Sequence, residues 1–423
     1  MLILFGTMIA LMLIGMPIAF TIGISSLAWL VTSSPFPLSV VAQKVFAGID
    51  SWSLLSIPLF LLVGALMNNG GITNKLIDLV NSILGHIKGG LGLANVGVSM
   101  LFAGISGTAL ADTASIGAIM IPAMTEEGYD AEFASSVTVS SSIVGPIIPP
   151  SMPMILTGSL LGISIGKLFI AGAIPGIILG LALMAMTYYL SVKRNYPSGE
   201  KSSLKEILSS LKSALLPLIL PIIMVGGIVF GIFTPTEAAS IGAVIAMILG
   251  VFVYKTISFK KLVQTFLDSA VSTASIMVLV GLASLFAWIL SIEHVPQMVA
   301  NFILSVTENR ILIILLINLL LLFIGTFMET VAAILVIFPI VFQISTLIGM
   351  DPVHFGVMAV LALMVGLITP PLGVCLFVAS SISKVSIIKI AKANMPYLIT
   401  ILLVLLLVAF VPQISLWLPS VFY

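Results

Sequence analysis

Charge is what this sequence has least of. Only 7% of its 423 residues are Asp, Glu, Lys or Arg, where a soluble domain carries about 25%. Such a chain cannot cover a water-facing surface, which excludes a soluble globular protein. Cysteine is almost missing: Cys375 stands alone, so there is no internal disulfide and no cysteine-rich metal site. The three histidines, His86, His294 and His354, are far apart in sequence. No HExxH, phosphate-loop or Ser-His-Asp pattern is present, so nothing points to an enzyme. A net charge of +1 leaves no footprint for nucleic acid.

Apolar residues make up 60% of the chain, with 23 Phe and a mean hydropathy of +1.31. That composition excludes an extended disordered chain and leaves an all-α polytopic membrane protein. A crossing helix needs about 20 mostly apolar residues. Apolar segments fall at about 2–15, 17–32, 51–69, 91–125, 131–163, 166–192, 213–232, 235–254, 270–291, 311–347, 354–382 and 386–411. Met1-Leu2-Ile3-Leu4-Phe5 has no basic region and no small-residue cleavage site before the next span, which argues against a removed signal peptide.

Segments 91–125 and 311–347 are too short for two spans and a loop, and each has a small-residue, polar break near its middle. They are expected to be re-entrant helical hairpins. Segments 131–163 and 354–382 each hold a proline pair and are expected to be broken helices. With the N-terminus outside and both hairpins re-entrant, thirteen of the sixteen Lys and Arg fall inside, and only Lys44, Lys167 and Arg310 fall outside. The positive-inside rule asks for this asymmetry. Both termini are then expected in the periplasm. Segments 72–88, 256–269 and 294–306 mix apolar and charged residues and are expected to lie at the membrane interface. The acidic run from Glu126 to Glu132 reads as a solvated cytoplasmic turn.

Self-comparison finds a repeat. An offset of 221 places Gln43 on Gln264, Ser51 on Ser272, Pro149-Pro150 on Pro370-Pro371 and Pro175 on Pro396. Gly107-Thr108 falls on Gly325-Thr326 with an offset three smaller. Two repeats are expected, 1–195 and 213–423, joined by a charged connector at 193–212. The first begins outside and the second inside, so they are inverted, as in secondary transporters whose sites lie where discontinuous helices meet.

The hairpin tips read Gly104-Ile105-Ser106-Gly107-Thr108-Ala109-Leu110-Ala111-Asp112-Thr113 and Gly325-Thr326-Phe327-Met328-Glu329-Thr330. The breaks read Gly145-Pro146-Ile147-Ile148-Pro149-Pro150-Ser151 and Gly366-Leu367-Ile368-Thr369-Pro370-Pro371. Unwound backbone in a membrane is tolerated where it lines a protein-enclosed cavity, and a tip facing a break offers neutral oxygens. That suits a small hard cation such as Na⁺, at two sites or more, while facing helix N-termini suit an anionic cargo. Asp112 and Glu329, each just past a tip, are read as repeat-related acids with either a functional or a capping role. Glu237, after Thr234-Pro235-Thr236, reads as a helix-start residue.

These motifs resemble the large membrane (M, or DctM-like) subunit of TRAP transporters. The resemblance rests also on Gly15-Met16-Pro17-Ile18-Ala19, Ile57-Pro58-Leu59-Phe60, Phe233-Thr234-Pro235-Thr236-Glu237-Ala238-Ala239 and Gly366-Leu367-Ile368-Thr369-Pro370-Pro371-Leu372-Gly373, and spans nearly the whole chain. It implies a Na⁺-driven importer of organic acids, such as C4-dicarboxylates or sialic acid, working as an elevator in a bacterial inner membrane. It implies two partners, a small four-helix membrane subunit and a soluble periplasmic substrate-binding protein. Because Met1 leads directly into the first span, the small subunit is expected to be a separate chain. By matching motifs, the first Na⁺ site is expected to use Ser106, Gly107, Thr108, Gly145 and Pro149, and the second Gly325, Thr326, Gly366, Thr369 and Pro370. Substrate is expected near Ser151, Asp112, Thr113 and Thr330. The alternatives are a self-sufficient divalent-anion/Na⁺ symporter and a channel.

Overall fold

The computed structural model describes the backbone of residues 1–423 and every side chain except those at 104–106 and 304. It holds helices and no strand among the described residues. The first half runs through α1 (Leu2–Leu13), α2 (Ile18–Ser33), α3 (Ser39–Ile49), α4 (Ser56–Asn69), α5 (Ile72–Leu84), α6 (Gly90–Ser106), α7 (Ala109–Glu126), α8 (Ala131–Ser142), α9 (Met152–Leu161) and α10 (Ile165–Lys193). The second runs through α11 (Leu204–Val229), α12 (Pro235–Ile248), α13 (Phe259–Ile292), α14 (Val295–Val306), α15 (Arg310–Phe327), α16 (Thr330–Leu347), α17 (Pro352–Gly366), α18 (Val374–Ser383), α19 (Ile387–Phe410) and α20 (Gln413–Phe422). Among the described residues, seven helices are long and apolar enough to cross a membrane, or eight if the bent pair α4 and α5 counts as one. The protein is a multi-pass membrane protein.

Local sequence explains the joints. Gly71 takes φ +70° ahead of α5, a conformation open to glycine without a side-chain clash, and α5 leaves α4 at 67°. That bend lays α5 down as an amphipathic arm, burying Ile72, Leu76, Leu79 and Val80. Thr234 and Glu237 form a reciprocal cap at the start of α12, which gives Glu237 the structural role its position suggests. The expected interface helix at 256–269 does not exist as a separate element. Neither Gly nor Pro falls between Ser258 and Val280, so the segment runs on into the following span as the continuous 34-residue α13. In the first half, the matching stretch is interrupted after Ile49, giving α3 and α4; α3 and α20 were not among the expected apolar segments.

Packing is reciprocal between the halves. The second arm of the first hairpin, α7, packs on α18, and the second arm of the other hairpin, α16, packs on α9. In the same way α8 meets α19 while α17 meets α10, and α4 meets α12 while α2 meets α13. The two innermost helices differ in chemistry. Every residue of α17 from Val353 to Gly366 is buried, and His354 is its one polar side chain. By contrast α8 buries Ser135, Ser136, Thr138, Ser140, Ser141 and Ser142.

Beyond α10, the connector is stitched to the arm and to the α7–α8 turn. Gly89 N–H donates to the Pro197 carbonyl at 3.1 Å, and Gly199 N–H to the Gly85 carbonyl at 2.9 Å. Arg194 pairs with Asp130 at 3.0 Å, and the Tyr196 hydroxyl donates to the same carboxylate. Tyr196 packs on Tyr129 and Phe133, with ring centroids 4.6 and 4.7 Å apart. Burial pushes both the Tyr129 and Tyr196 hydroxyls up to about 12.

Candidate functional site

Caps define the hairpin tips. Gly107 ends α6 at φ +62°. Thr108 then caps α7, its hydroxyl accepting from the Ala111 N–H at 3.4 Å. In the second hairpin Glu329 caps α16, its carboxylate accepting from Val331 N–H at 2.9 Å and Ala332 N–H at 3.3 Å. These caps are 221 residues apart, so the counterpart of Glu329 is Thr108 and not Asp112. Sequence pairing of the two acids fails because a hydroxyl and a carboxylate cap a helix equally well, so the residue type need not repeat. Gly325 and Thr326 likewise lie inside the last turn of α15, whereas Gly107 and Thr108 lie between helices.

The first tip meets the first break. A β-carbon on Gly107 would stand 3.2 Å from the Met152 nitrogen and 3.3 Å from the Pro150 carbonyl oxygen. Asp112, one turn into α7, is fully buried with its carboxylate against Gly145. The structure thus brings Gly107 and Thr108 to the Pro150 end of the break, with Gly145 on the Asp112 side. Pro149 is joined to Pro150 by a cis peptide, as Pro370 is to Pro371. Ser106 lies outside the described residues.

The second tip meets the second break more closely. A β-carbon on Gly325 would stand 3.1 Å from the Gly366 Cα. The Thr326 carbonyl accepts from the Gly373 N–H at 3.3 Å. The Thr326 hydroxyl donates to the Phe323 carbonyl and the Thr369 hydroxyl to the Val365 carbonyl, both at 2.7 Å. Thr326 has spent its hydroxyl proton inside α15 and Thr369 on the last turn of α17, and what remains is acceptor capacity, the chemistry a cation needs. Among the described residues, no group of three or more His, Cys, Asp and Glu could hold a metal ion.

Between the tips lies a cavity of about 50 Å³ lined by Thr108, Pro146, Met152, Glu329, Thr330 and Met364 among others. Four helices begin at its wall: α7 with Ala109, α9 with Met152, α16 with Thr330 and α18 with Val374. Helix N-termini carry partial positive charge, a setting for an anion, although Thr108, Ser151 and Glu329 already cap three of the four. Of the four expected substrate residues, Thr330 lines this cavity. The other three are buried beside it. Ser151 donates to the Pro146 carbonyl at 2.5 Å and accepts from Met154 N–H at 3.2 Å. Thr113 bonds the Ser142 hydroxyl at 2.8 Å and the Ala109 carbonyl at 2.9 Å.

One residue absent from the sequence expectations joins the parts. Asn394, in α19, accepts from the Ser140 hydroxyl at 2.5 Å and donates to the Ile368 carbonyl at 3.3 Å. It ties the hydroxyl-rich α8 to the second break. An amide in a long apolar span was the available signal.

Residues 5–414 match the sequence model of the family described as tripartite ATP-independent periplasmic transporter, DctM component. The chain belongs to that family. This DctM-family chain is 41% identical to the sialic acid TRAP transporter large permease protein SiaM of Vibrio cholerae, over 98% of this chain and 97% of that protein. It is 40% identical to the isethionate TRAP transporter permease protein DctMQ of Oleidesulfovibrio alaskensis, over 98% of this chain and 66% of that longer protein. Its fold is similar to that of the Alcanivorax borkumensis YdaH transporter, with a TM-score of 0.64 at 14% identity over 90% of this chain and 89% of the other. The DctM-family chain is thus a transporter permease subunit and not an enzyme.

Proposed function

We propose that this chain is the transmembrane pathway of a sodium-driven importer of organic acids. One observation carries the reading: each hairpin tip lies against unwound or glycine backbone of a broken helix, and a cavity walled by four helix N-termini separates the tips. Neutral acceptor oxygens suit Na⁺, and helix N-termini suit an acid. The first Na⁺ site is assigned to Gly107, Thr108, Gly145 and Pro149 with Ser106, and the second to Gly325, Thr326, Gly366, Thr369 and Pro370. The acid is assigned to the cavity at Thr330, with Ser151, Asp112 and Thr113 shaping the wall behind it.

Residues 1–195 and 213–423 are read as inverted repeats about the 193–212 connector, with both termini periplasmic in a bacterial inner membrane. Reciprocal packing of α7 on α18 and α16 on α9 supports this. The hairpins and broken helices would move together against the remaining helices as an elevator. The partners are a small four-helix membrane subunit and a periplasmic binding protein that delivers the cargo. Relatives of nearly equal identity carry names citing sialic acid and isethionate, so the cargo class is an organic anion, with C4-dicarboxylates and other carboxylates in the first screen.

The test is uptake in proteoliposomes with both partners present, screening carboxylates and a sulfonate with and without an inward sodium gradient. Uptake that needs the gradient and the binding protein is expected. Uptake independent of both would overturn the reading. Uptake that needs sodium but no binding protein would instead favour a self-sufficient symporter. Replacing Thr108 and Thr326 together by Ala is expected to weaken the sodium dependence, with a stability loss of about 1 kcal/mol from the α7 cap.

A further inference from the structure

Two chambers of about 220 Å³ each flank the hairpins, and the 221-residue spacing relates their walls. The first is lined by Asp268, Ser269 and Ser272 of α13, Asn68 of α4, and Thr108 and Ser115 of the first hairpin. The second has Ala47, Gly48 and Ser51 at the three matching positions. Where one chamber carries a carboxylate, the other carries a methyl group. Thr108 also lines the cavity between the tips, so the charged chamber adjoins the proposed cargo space. The uncharged chamber shares no lining residue with that cavity.

Asp268 lines the first chamber and is itself exposed. Its carboxylate accepts from Gln264 Nε2 at 2.8 Å and forms no ion pair among the described residues. Lys261, nearly two turns earlier on α13, donates instead to the Asn69 carbonyl at 3.1 Å. Ser272 donates to the Asp268 carbonyl at 2.9 Å. Beside it Ser269 is only 8% exposed, and its hydroxyl has no hydrogen-bond partner among the described residues. A buried hydroxyl in that state gains from any oxygen-seeking ion or water that reaches it.

We propose that the charged chamber holds a transient site for a monovalent cation, with the Asp268 carboxylate as its charge and Ser269 and Asn68 as neutral partners. A single charge in a cleft with apolar walls concentrates ions of the opposite sign and repels its own. One carboxylate among neutral oxygens attracts a cation without trapping it, as a conducting pathway requires. An acid cargo entering the same chamber meets repulsion, while the cation that travelled with it is held back. The role of this site in transport rests on the sodium-coupled reading above; the charge selectivity of the chamber does not.

The experiment uses the chain with its small subunit in liposomes, in a Cys375→Ser background carrying Ser272→Cys, with Ser115→Cys, on the facing wall of the chamber, as a second reporter. The probes are a cationic and an anionic methanethiosulfonate reagent of similar size, each normalised to its rate with a free thiol. The cationic reagent is expected to react about fivefold faster or more, as a focused potential dictates. Sodium, but not choline, is expected to slow it. Asp268→Asn is expected to abolish both the preference and the protection. Equal rates for the two reagents, sodium protection that survives Asp268→Asn, or no labelling at either reporter would overturn the proposal. Failure of the transport reading is seen separately, as wild-type uptake that ignores sodium.

Discussion

Gly325 and Gly366 lie backbone to backbone where the second hairpin crosses the second break. A β-carbon on Gly366 would come within 2.5 Å of the Gly325 Cα and 2.7 Å of the Leu322 carbonyl oxygen. Because both obstacles are backbone, no rotamer change can relieve them. Gly366→Ala is expected to cost about 1–3 kcal/mol through overpacking, read as a lowered melting temperature in detergent, and to lose sodium-dependent uptake. Gly226→Ala, where nothing lies within 4 Å, is the control and is expected to change neither.

Glu329 joins a cap and a charge in one side chain, and substitution separates them. Glu329→Gln retains an acceptor oxygen for the Val331 and Ala332 N–H groups and is expected to keep its melting temperature. Glu329→Ala loses the cap and is expected to cost about 1 kcal/mol. Both remove the carboxylate from the cavity wall. If uptake falls alike in both while stability falls only in the second, the charge has a role of its own. Uptake that tracks stability would leave Glu329 as a cap alone.

Asn394→Leu is expected to break the link between α8 and the second break. The Ile368 carbonyl then loses this donor, and an unsatisfied buried group costs about 1–3 kcal/mol. Expected is a lower melting temperature with a reduced sodium affinity measured from the concentration dependence of uptake. Unchanged sodium affinity would confine Asn394 to a scaffolding role.

The aromatic cluster at the connector gives a pH prediction. The Tyr129 and Tyr196 hydroxyls titrate at about 12 in the folded protein, against about 10 for an exposed tyrosine. Raised folded values mean that this contribution is complete below pH 10 and is lost as pH climbs through 12. Phenolate absorbance is expected to rise in two stages, exposed tyrosines first. Replacing Asp130 by Asn is expected to change stability by less than about 1 kcal/mol, because its ion pair with Arg194 is partly solvated.

Much of the architecture was legible because membrane helices announce themselves by length, and breaks by proline and glycine. The helix pairs α6–α7 and α15–α16, the two proline-pair breaks and the bent arm after Asn69 follow from those signals alone, although α15 and α16 are each long and apolar enough to cross a membrane, against the expectation that 311–347 is too short for two spans. The boundary at 256–269 was misjudged because Lys260 and Lys261 resemble an interface while the helix, lacking a breaker, simply continues. The site was legible as a set of segments but not as a set of contacts. Nothing in the one-dimensional pattern shows that Thr108 and Glu329 hold equivalent caps, or that four helix starts meet at one cavity. Asp268 escaped notice for a related reason: it falls within 256–269, expected as an interface helix, where a charged residue needs no further role until the opposite wall is known.

The uninterrupted α13 has a mechanical corollary. Its 34 residues make a rod of about 51 Å, against a hydrocarbon layer of about 30 Å. Such a mast must lean steeply or project well clear of the lipid, whereas α3 and α4, its jointed counterpart, can fold at the gap between them. One half therefore offers a stiff rail and the other a hinged one, so thicker or thinner lipid would tax the two unequally.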